Sequence, residues 1–120
     1  MKNILIVDDN KINLTAAKNA LNDVYKVTAV ISGEQALRFL SSNTPDLILL
    51  DINMPEMDGY EATLKIRKLP NRIRANTPII ALTANAVSEN RDRAFAVGMD
   101  GFLVKPVNIS HLLSCLAKLL

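Results

Sequence analysis

With a single cysteine, Cys115, the chain can close no internal disulfide and build no multi-cysteine metal site. Such usage suits a reducing cytosol. Hydrophobic residues make up 49% of the sequence, yet no uninterrupted apolar run comes near the roughly 20 residues that cross a bilayer. The segment after Met1-Lys2-Asn3 is apolar for only four residues before Asp8 and Asp9 interrupt it, too short for a signal peptide. The expectation is therefore a soluble, cytoplasmic protein without membrane attachment. An excess of one charge is lacking too. Fourteen Lys and Arg against 12 Asp and Glu leave +2, too little to argue for direct nucleic-acid binding. The aromatics Phe39, Phe95, Phe102, Tyr25 and Tyr60 are too scattered for a base-stacking platform. Repeats, low-complexity tracts and linker-like stretches are absent, so residues 1–120 read as one domain, long enough to bury a core without staples. One absence is local. Between Glu61 and Glu89 there is no acid, while Lys65, Arg67, Lys68, Arg72 and Arg74 supply five cations. A solvated helix face running into a loop is the plain reading of that patch.

What is present is a rhythm. Short apolar runs at Ile4 to Val7, Val27 to Ile31, Leu47 to Leu50, Ile79 to Leu82 and Phe102 to Val104 alternate with longer amphipathic segments. Apolar runs without alternation are what parallel strands covered on both faces require. Leu14, Ala17 and Leu21 mark a first helix, Ala36, Leu37 and Leu40 a second, and Ala62, Ile66 and Leu69 a third, all at three-to-four spacing. Ile109, Leu112, Leu113, Leu116 and Leu120 form the apolar stripe of the last, with Asn108 placed to cap it. His111 on that helix is expected to be exposed and Cys115 to be a small buried hydrophobe. The fourth helix is the weak member, because Ser88 to Arg93 is six consecutive polar residues. A helix without an apolar anchor holds its position poorly, which marks a moving part or a partner surface. Pro45, Pro70 and Pro78 fall between elements, where a missing amide donor costs little. Five strands alternating with five helices predict an α/β fold, a three-layer α/β/α sandwich with right-handed crossovers.

The residues that follow the strands carry the chemistry. The first run ends in Asp8-Asp9, the third in Asp51, the fourth in Thr83 and the fifth in Lys105; only the second lacks such a residue. Ligands of open parallel sheets sit outside the carboxyl ends of the strands, where the winding reverses, so these groups converge. They do so best with the second strand at an edge and the first beside the third, the flavodoxin-like order 2-1-3-4-5. Two carboxylates about 5 Å apart repel by roughly 3 kcal/mol at an effective dielectric near 20, so three gathered together call for a counter-ion. An all-oxygen set with positions left for water and phosphate describes a Mg²⁺ site in which Mn²⁺ can substitute. With Lys105 and a divalent ion, three carboxylates sum to zero. Asp51, alone at the end of a central strand, is the candidate nucleophile for a phosphoryl group, while the Asp8-Asp9 pair is better suited to holding metal. Metal, Lys105 and the Thr83 hydroxyl then stabilise charge on the phosphoryl oxygens. Met54-Pro55 and Asp58-Gly59 read first as a tight loop.

At these residues the chain resembles the receiver domains of two-component response regulators. The likeness covers essentially the whole chain, through Ile-Leu-Ile-Val-Asp-Asp at 4 to 9, Leu-Leu-Asp-Ile-Asn-Met-Pro-Glu-Met-Asp-Gly at 49 to 59, Ala-Leu-Thr-Ala at 81 to 84 and Lys-Pro at 105 and 106. It implies that Asp51 is phosphorylated from a histidine of a sensor kinase or phosphotransfer protein. It implies too that Asp9, Asp51 and the main-chain carbonyl of Asn53 bind Mg²⁺, with Asp8 reaching it directly or through water. Thr83 and Phe102 resemble the family's switch pair, in which the hydroxyl moves to the phosphoryl group and the ring turns inward, reshaping the surface around the fourth helix and fifth strand. Phe102 lacks a hydroxyl, which leaves its ring free to be wholly buried. A cis peptide bond between Lys105 and Pro106 is also implied. Asn53 and Asn85 occupy positions that tune phosphoryl lifetime in the family. The resemblance makes the domain a phosphoacceptor that assists its own phosphorylation and dephosphorylation rather than an enzyme, and a phosphorylation-dependent homodimer is compatible with it.

Rival chemistries fit less well. An aspartyl-phosphate phosphatase of the haloacid dehalogenase type needs a second carboxylate two residues beyond its nucleophile, where Asp8 and Asp51 are followed by Asn10 and Asn53, and an amide cannot donate the proton. A flavin binder of the same layer order needs a hydroxyl- and glycine-rich phosphate loop after the first strand, where Asp8 and Asp9 would repel the phosphate. A purely scaffolding relative would have no use for the complete acceptor set.

Overall fold

The computed structural model describes residues 1–84 and 87–120, so Asn85 lies outside the described residues. The chain runs β1 (Asn3–Val7), α1 (Lys11–Leu21), β2 (Lys26–Val30), α2 (Gly33–Leu40), β3 (Leu47–Asp51), α3 (Gly59–Arg67), α4 (Arg72–Ala75), β4 (Ile79–Thr83), α5 (Ser88–Ala96), β5 (Gly101–Val104) and α6 (Ile109–Leu119). All strand pairs are parallel and the sheet order is β2-β1-β3-β4-β5, as the strand ends required. The continuous apolar runs are explained by double coverage. Every residue of β3 and β4 is buried, whereas edge strand β2 is only half-covered.

Alternate residues of each strand serve two cores. On one face Leu5, Val7, Ile48, Leu50, Ile79 and Ala81 meet α2, α3 and α5 through Ala36, Leu40, Tyr60, Ala62, Ile66 and Ala94. On the other, Ile4, Ile6, Leu47, Leu49, Ile80 and Leu82 meet α1 and α6 through Leu14, Leu21, Leu112 and Leu116. Helices α1 and α6 thus cover one face and α2, α3 and α5 the other, with the reversal of winding between β1 and β3, where ligands of such sheets bind.

Among the described residues, five of the six helices start with a side chain that satisfies an amide the helix leaves unpaired. Asn10 accepts from Ile12 N and Asn13 N, Ser32 from Gln35 N, Asp58 from Glu61 N, Asn71 from Arg74 N, and Asn108, as anticipated, from His111 N. Helix α5 has Val87 at the capping position, whose side chain has no oxygen to offer. Gly59 opens α3 because a Cβ there would lie 2.7 Å from Asp51 O and 2.8 Å from the Ile52 Cα. The first turn of α3 therefore rests on the backbone that follows the central strand.

Three expectations need adjustment. The stretch after Pro70 is not merely a loop but holds the one-turn helix α4, so the weakly anchored fourth helix of the sequence pattern is α5. Two arginines hold α4 in place: Arg67 Nη1 donates to Ala75 O at 2.7 Å, and Arg74 donates to Thr44 Oγ1 and Ser41 O, each at 3.0 Å. The strands are offset from the apolar runs. Strands β1, β3 and β4 take in the polar residues Asn3, Asp51 and Thr83, while β2 stops before Ile31. Finally, α6 buries Leu112 and Leu116, whereas Ile109 is exposed and Cys115, at the edge of the same core, is only half-buried.

Candidate functional site

The strand register builds the site. Val7 pairs with Leu50, which sets Asp8 level with Asp51; Asp51 pairs with Leu82 and Thr83 with Val104, so Thr83 and Lys105 follow at the same rim. One carboxylate oxygen from each of Asp8, Asp9 and Asp51 lies within 4.8 Å of the other two. Lys105 Nζ donates to Asp8 Oδ2 at 2.9 Å and stands 3.3 Å from Asp51 Oδ2. Residues 97 positions apart in sequence thus share one charge cluster. Asp8 and Asp51 are buried, Asp9 and Asn53 exposed, and Lys105 lies between.

Backbone amides fix the two buried carboxylates. Asn10 N donates to Asp8 Oδ1 at 2.9 Å and Asn53 N to Asp51 Oδ1 at 3.1 Å, each from two residues downstream. Both are turns in which the acid's own side chain closes the ring. Burial, reinforced by the Asp8 charge, outweighs Lys105 and the Asn53 amide and pushes the Asp51 carboxyl up to about 6. The Lys105 ammonium is also displaced. Burial acts to lower it, but the hydrogen bond to Asp8 and the charges of Asp51 and Asp8 together hold it above its ordinary value.

Thr83, fully buried at the end of β4, accepts from Asn53 Nδ2 at 3.3 Å. Its carbonyl accepts from Lys105 N at 2.7 Å, tying β4 to the start of the Lys-Pro turn. Phe102 pairs with Ala81 and joins the core on the α2, α3 and α5 side, but its ring is half-buried here, not wholly so. The Lys105-Pro106 bond is cis, as the resemblance implied.

The rim therefore brings together Asp8, Asp9, Asp51, Thr83 and Lys105. The sequence did not show that the Asn53 side chain, at a position that tunes phosphoryl lifetime in the family, bonds Thr83, nor that the Asn10 amide steadies Asp8. A strand-end Asp readily closes a turn on the backbone amide two residues on, so the Asn10 amide could have been found from Asp8 itself, whereas the Asn53 side chain reaches a residue 30 positions away and no local pattern marks it. The basic patch, by contrast, is dispersed. Arg67 and Arg74 are spent on backbone carbonyls and a threonine hydroxyl, while Lys65, Lys68 and Arg72 are exposed.

Three carboxylates and one ammonium leave two negative charges on an all-oxygen donor set open to water through Asp9. Those donors suit a small, hard divalent cation better than a soft metal. No sulfur or imidazole stands among them.

Residues 4–117 match the family model described as the response regulator receiver domain. Sensor histidine kinase RcsC of Salmonella typhi is 40% identical over 115 residues, covering 95% of this chain and 12% of that protein. Probable histidine kinase 1 of Oryza sativa subsp. indica is 35% identical over 147 residues, covering 98% of this chain. The chain spans only 15% of that protein's length. Among solved structures, the chemotaxis protein CheY4 of Vibrio cholerae superposes with a TM-score of 0.92 at 34% identity, covering 100% of this chain and 99% of that one. The receiver domain of a sensor histidine kinase from Pseudomonas aeruginosa, with a magnesium ion coordinated in its active-site cleft, gives a TM-score of 0.88 at 38% identity, covering 98% and 95%.

Proposed function

This chain belongs to the response regulator receiver domains, and from that membership and the rim geometry we propose that residues 1–120 form one phosphoacceptor domain in which Asp51 takes a phosphoryl group from a phosphohistidine. Phosphoacceptor signalling is the role of the family. The assignment of residues rests on one observation above all: Asp51 is the carboxylate that Lys105, the Asn53 amide and the Asp8-Asp9 pair all address from different elements. In the transfer, a carboxylate oxygen of Asp51 bonds to phosphorus, the bond from phosphorus to the imidazole nitrogen breaks, and its electron pair leaves with the donor histidine. Asn53 N holds the other orientation of the carboxylate fixed. The Lys105 ammonium and the Thr83 hydroxyl neutralise charge that builds on the phosphoryl oxygens.

Asp8, Asp9, Asp51 and the main-chain carbonyl of Asn53 are the residues that would hold Mg²⁺, with Mn²⁺ a substitute of similar preference. When bound, the ion offsets the negative charge of the carboxylates and of the incoming phosphoryl group. Thr83 and Phe102 share the sheet face that carries α5, so movement of the hydroxyl toward the phosphoryl group would open space for the Phe102 ring and alter the surface of α5, β5 and α6. The donor is a histidine kinase or phosphotransfer protein, consistent with relatives that are themselves histidine kinases. The domain acts as a phosphoacceptor that assists its own chemistry rather than as an enzyme. It works in the cytoplasm and does not itself bind nucleic acid. Among the described residues no helix is long and apolar enough to cross a membrane. The haloacid dehalogenase alternative has no support.

Incubation with radiolabelled acetyl phosphate and Mg²⁺ tests the reading. The wild type is expected to take up acid-stable, hydroxylamine-labile label, EDTA to prevent it and Asp51→Asn to abolish it. Undiminished labelling of that variant overturns the assignment.

A further inference from the structure

Helix α5 is held unlike every other long helix of the fold. Its start carries no side-chain cap, and Ala94 is the one buried residue along it. Ala94 has a single methyl to offer, whereas α6 sinks two leucines into its core and α3 an isoleucine. Arg67 ties down Gly98 just past the end of α5, and along the helix itself Tyr60 is what grips it. The phenol is buried in the core under α5 and its hydroxyl donates to Asn90 O at 3.2 Å. One turn further along, the Arg93 guanidinium lies 4.0 Å from the centre of the same ring. The tyrosine therefore grips α5 twice, through a hydrogen bond at its tip and a cation–π contact on its face.

The position of Tyr60 in the chain matters as much as its contacts. It directly follows Gly59, whose Cα sits so close to Asp51 O and Ile52 Cα that no side chain fits. Gly59 N also donates to Ile52 O at 2.9 Å, and Ile52 N to Leu82 O at 2.9 Å. A shift of the backbone at Asp51 and Ile52 is thus passed to Tyr60 across one residue, by contact between backbones that cannot yield independently. The same backbone is bonded to β4, which leads into α5. The pose of α5 and the backbone of Asp51 are joined at both ends of one short path.

We infer that Tyr60 is a positioning residue, a clasp that holds α5 in the pose described above and, through Gly59 and Ile52, sets how readily Asp51 accepts a phosphoryl group. This rests on the reading of Asp51 as acceptor. A contact that holds one pose of α5 favours that pose, and by linkage opposes any event at Asp51 that requires another. Loosening the clasp then shifts the resting protein toward the phosphorylated arrangement and speeds acceptance. The hydroxyl is the cleanest part to remove. Tyr60→Phe keeps the ring and the Arg93 contact, and Asn90 O remains within a helix, so no cavity or orphaned group arises.

The test uses the full chain with Tyr60→Phe, and with Arg93→Ala as a second variant acting from the other side of the same ring. First, amide hydrogen exchange of Asn90 to Ala96 is measured in metal-free, unphosphorylated protein. Exchange is expected to rise about three- to tenfold in either variant, the scale of one neutral hydrogen bond, with the amides of β1 and β3 unchanged. Equal exchange in wild type and both variants overturns the clasp irrespective of what happens at Asp51.

Second, α5 amide resonances are recorded with and without beryllofluoride, a phosphoryl mimic. The variants' resonances are expected to move along the line joining the free and beryllofluoride-bound wild type, and labelling by acetyl phosphate to rise two- to fivefold. Off-line shifts with unaltered labelling would mean simple loosening and overturn the coupling. Asp51→Asn labelling, run alongside, separates failure of the acceptor assignment from failure of the clasp, because the exchange measurement needs no phosphoryl group.

Discussion

Two cations, Lys105 at one pole of the sheet and Arg67 at the other, are exposed to nearly the same extent, 20% and 21% of the side chain. Their surroundings differ. Lys105 faces two carboxylates, Asp8 and Asp51, whose attraction outweighs burial and holds its proton more tightly than usual. Arg67 faces mainly neutral acceptors. Its guanidinium donates to Gly98 O at 3.0 and 2.7 Å, to Ala75 O at 2.7 Å and to Thr77 O at 2.8 Å, with Asp100 alone as a charged partner. There burial prevails over Asp100 and lowers its affinity for a proton. A rigid fork among carbonyls is a staple, since every donor has a fixed place and nothing is left over. A point charge between carboxylates that still sum to a net negative value is an incomplete site. The same degree of burial thus leaves one pole fully paired and the other with negative charge to spare.

The largest effect expected from breaking this contrast is at the staple. Arg67→Ala leaves Gly98 O, Ala75 O and Thr77 O without their shared donor and frees the ends of α4 and α5 from β4. It should cost about 3 kcal/mol of folding stability, the size of a few weakened acceptors in a half-buried place. Arg67→Lys should recover less than half, because one ammonium cannot reach three separated carbonyls. Urea titration followed by circular dichroism measures both. Under conditions where the variant remains folded, labelling of Asp51 should match the wild type; a specific loss of labelling would mean that this pole is not structural alone.

At the other pole the sign depends on which partner is removed. Lys105→Met takes the cation from between Asp8 and Asp51 and should destabilise the metal-free protein by about 2 kcal/mol, while Asp51→Asn relieves a buried like-charge contact and should stabilise it by about 1 kcal/mol. Mg²⁺ should narrow both differences, restoring Lys105→Met and favouring the wild type over Asp51→Asn. Thermal melts in EDTA and in excess Mg²⁺ provide the comparison. Labelling should fall at least tenfold in Lys105→Met. If both substitutions destabilised the metal-free protein equally, the rim would be a satisfied ion network like the staple, and the contrast would vanish.

The two poles were not equally legible from sequence. Asp8, Asp9, Asp51, Thr83 and Lys105 could be placed because each stands at the end of an apolar run, and the layer rule for parallel sheets turns those ends into one rim. Helix α4, the role of Arg67 and the grip of Tyr60 on α5 could not be placed. Their partners are main-chain carbonyls of Gly98, Ala75, Thr77, Ser41 and Asn90, and a carbonyl is present at every residue, so no letter marks the one that will be used. Side-chain partners leave a pattern in sequence; backbone partners emerge only once the chain is folded. The weakness of α5 was visible for the opposite reason, since a missing apolar stripe is itself a pattern.

The smallest expected effects lie within the acid-free stretch and separate its two kinds of cation. Arg74 resembles Arg67 in donating to a backbone carbonyl, Ser41 O, and adds Thr44 Oγ1, but both contacts are at the surface, where water can replace the guanidinium. Arg74→Ala should therefore cost about 1 kcal/mol, the net value of an ordinary hydrogen bond rather than that of a buried acceptor left empty. Lys68 is exposed, and Lys68→Ala should stay within about 0.5 kcal/mol of the wild type. Chemical denaturation of the two variants beside Arg67→Ala gives the series. A steep decline from Arg67 through Arg74 to Lys68 locates stability in the carbonyl contacts. Equal losses at all three would locate it in net charge, since each substitution removes one positive charge and only the first two remove bonds to the backbone.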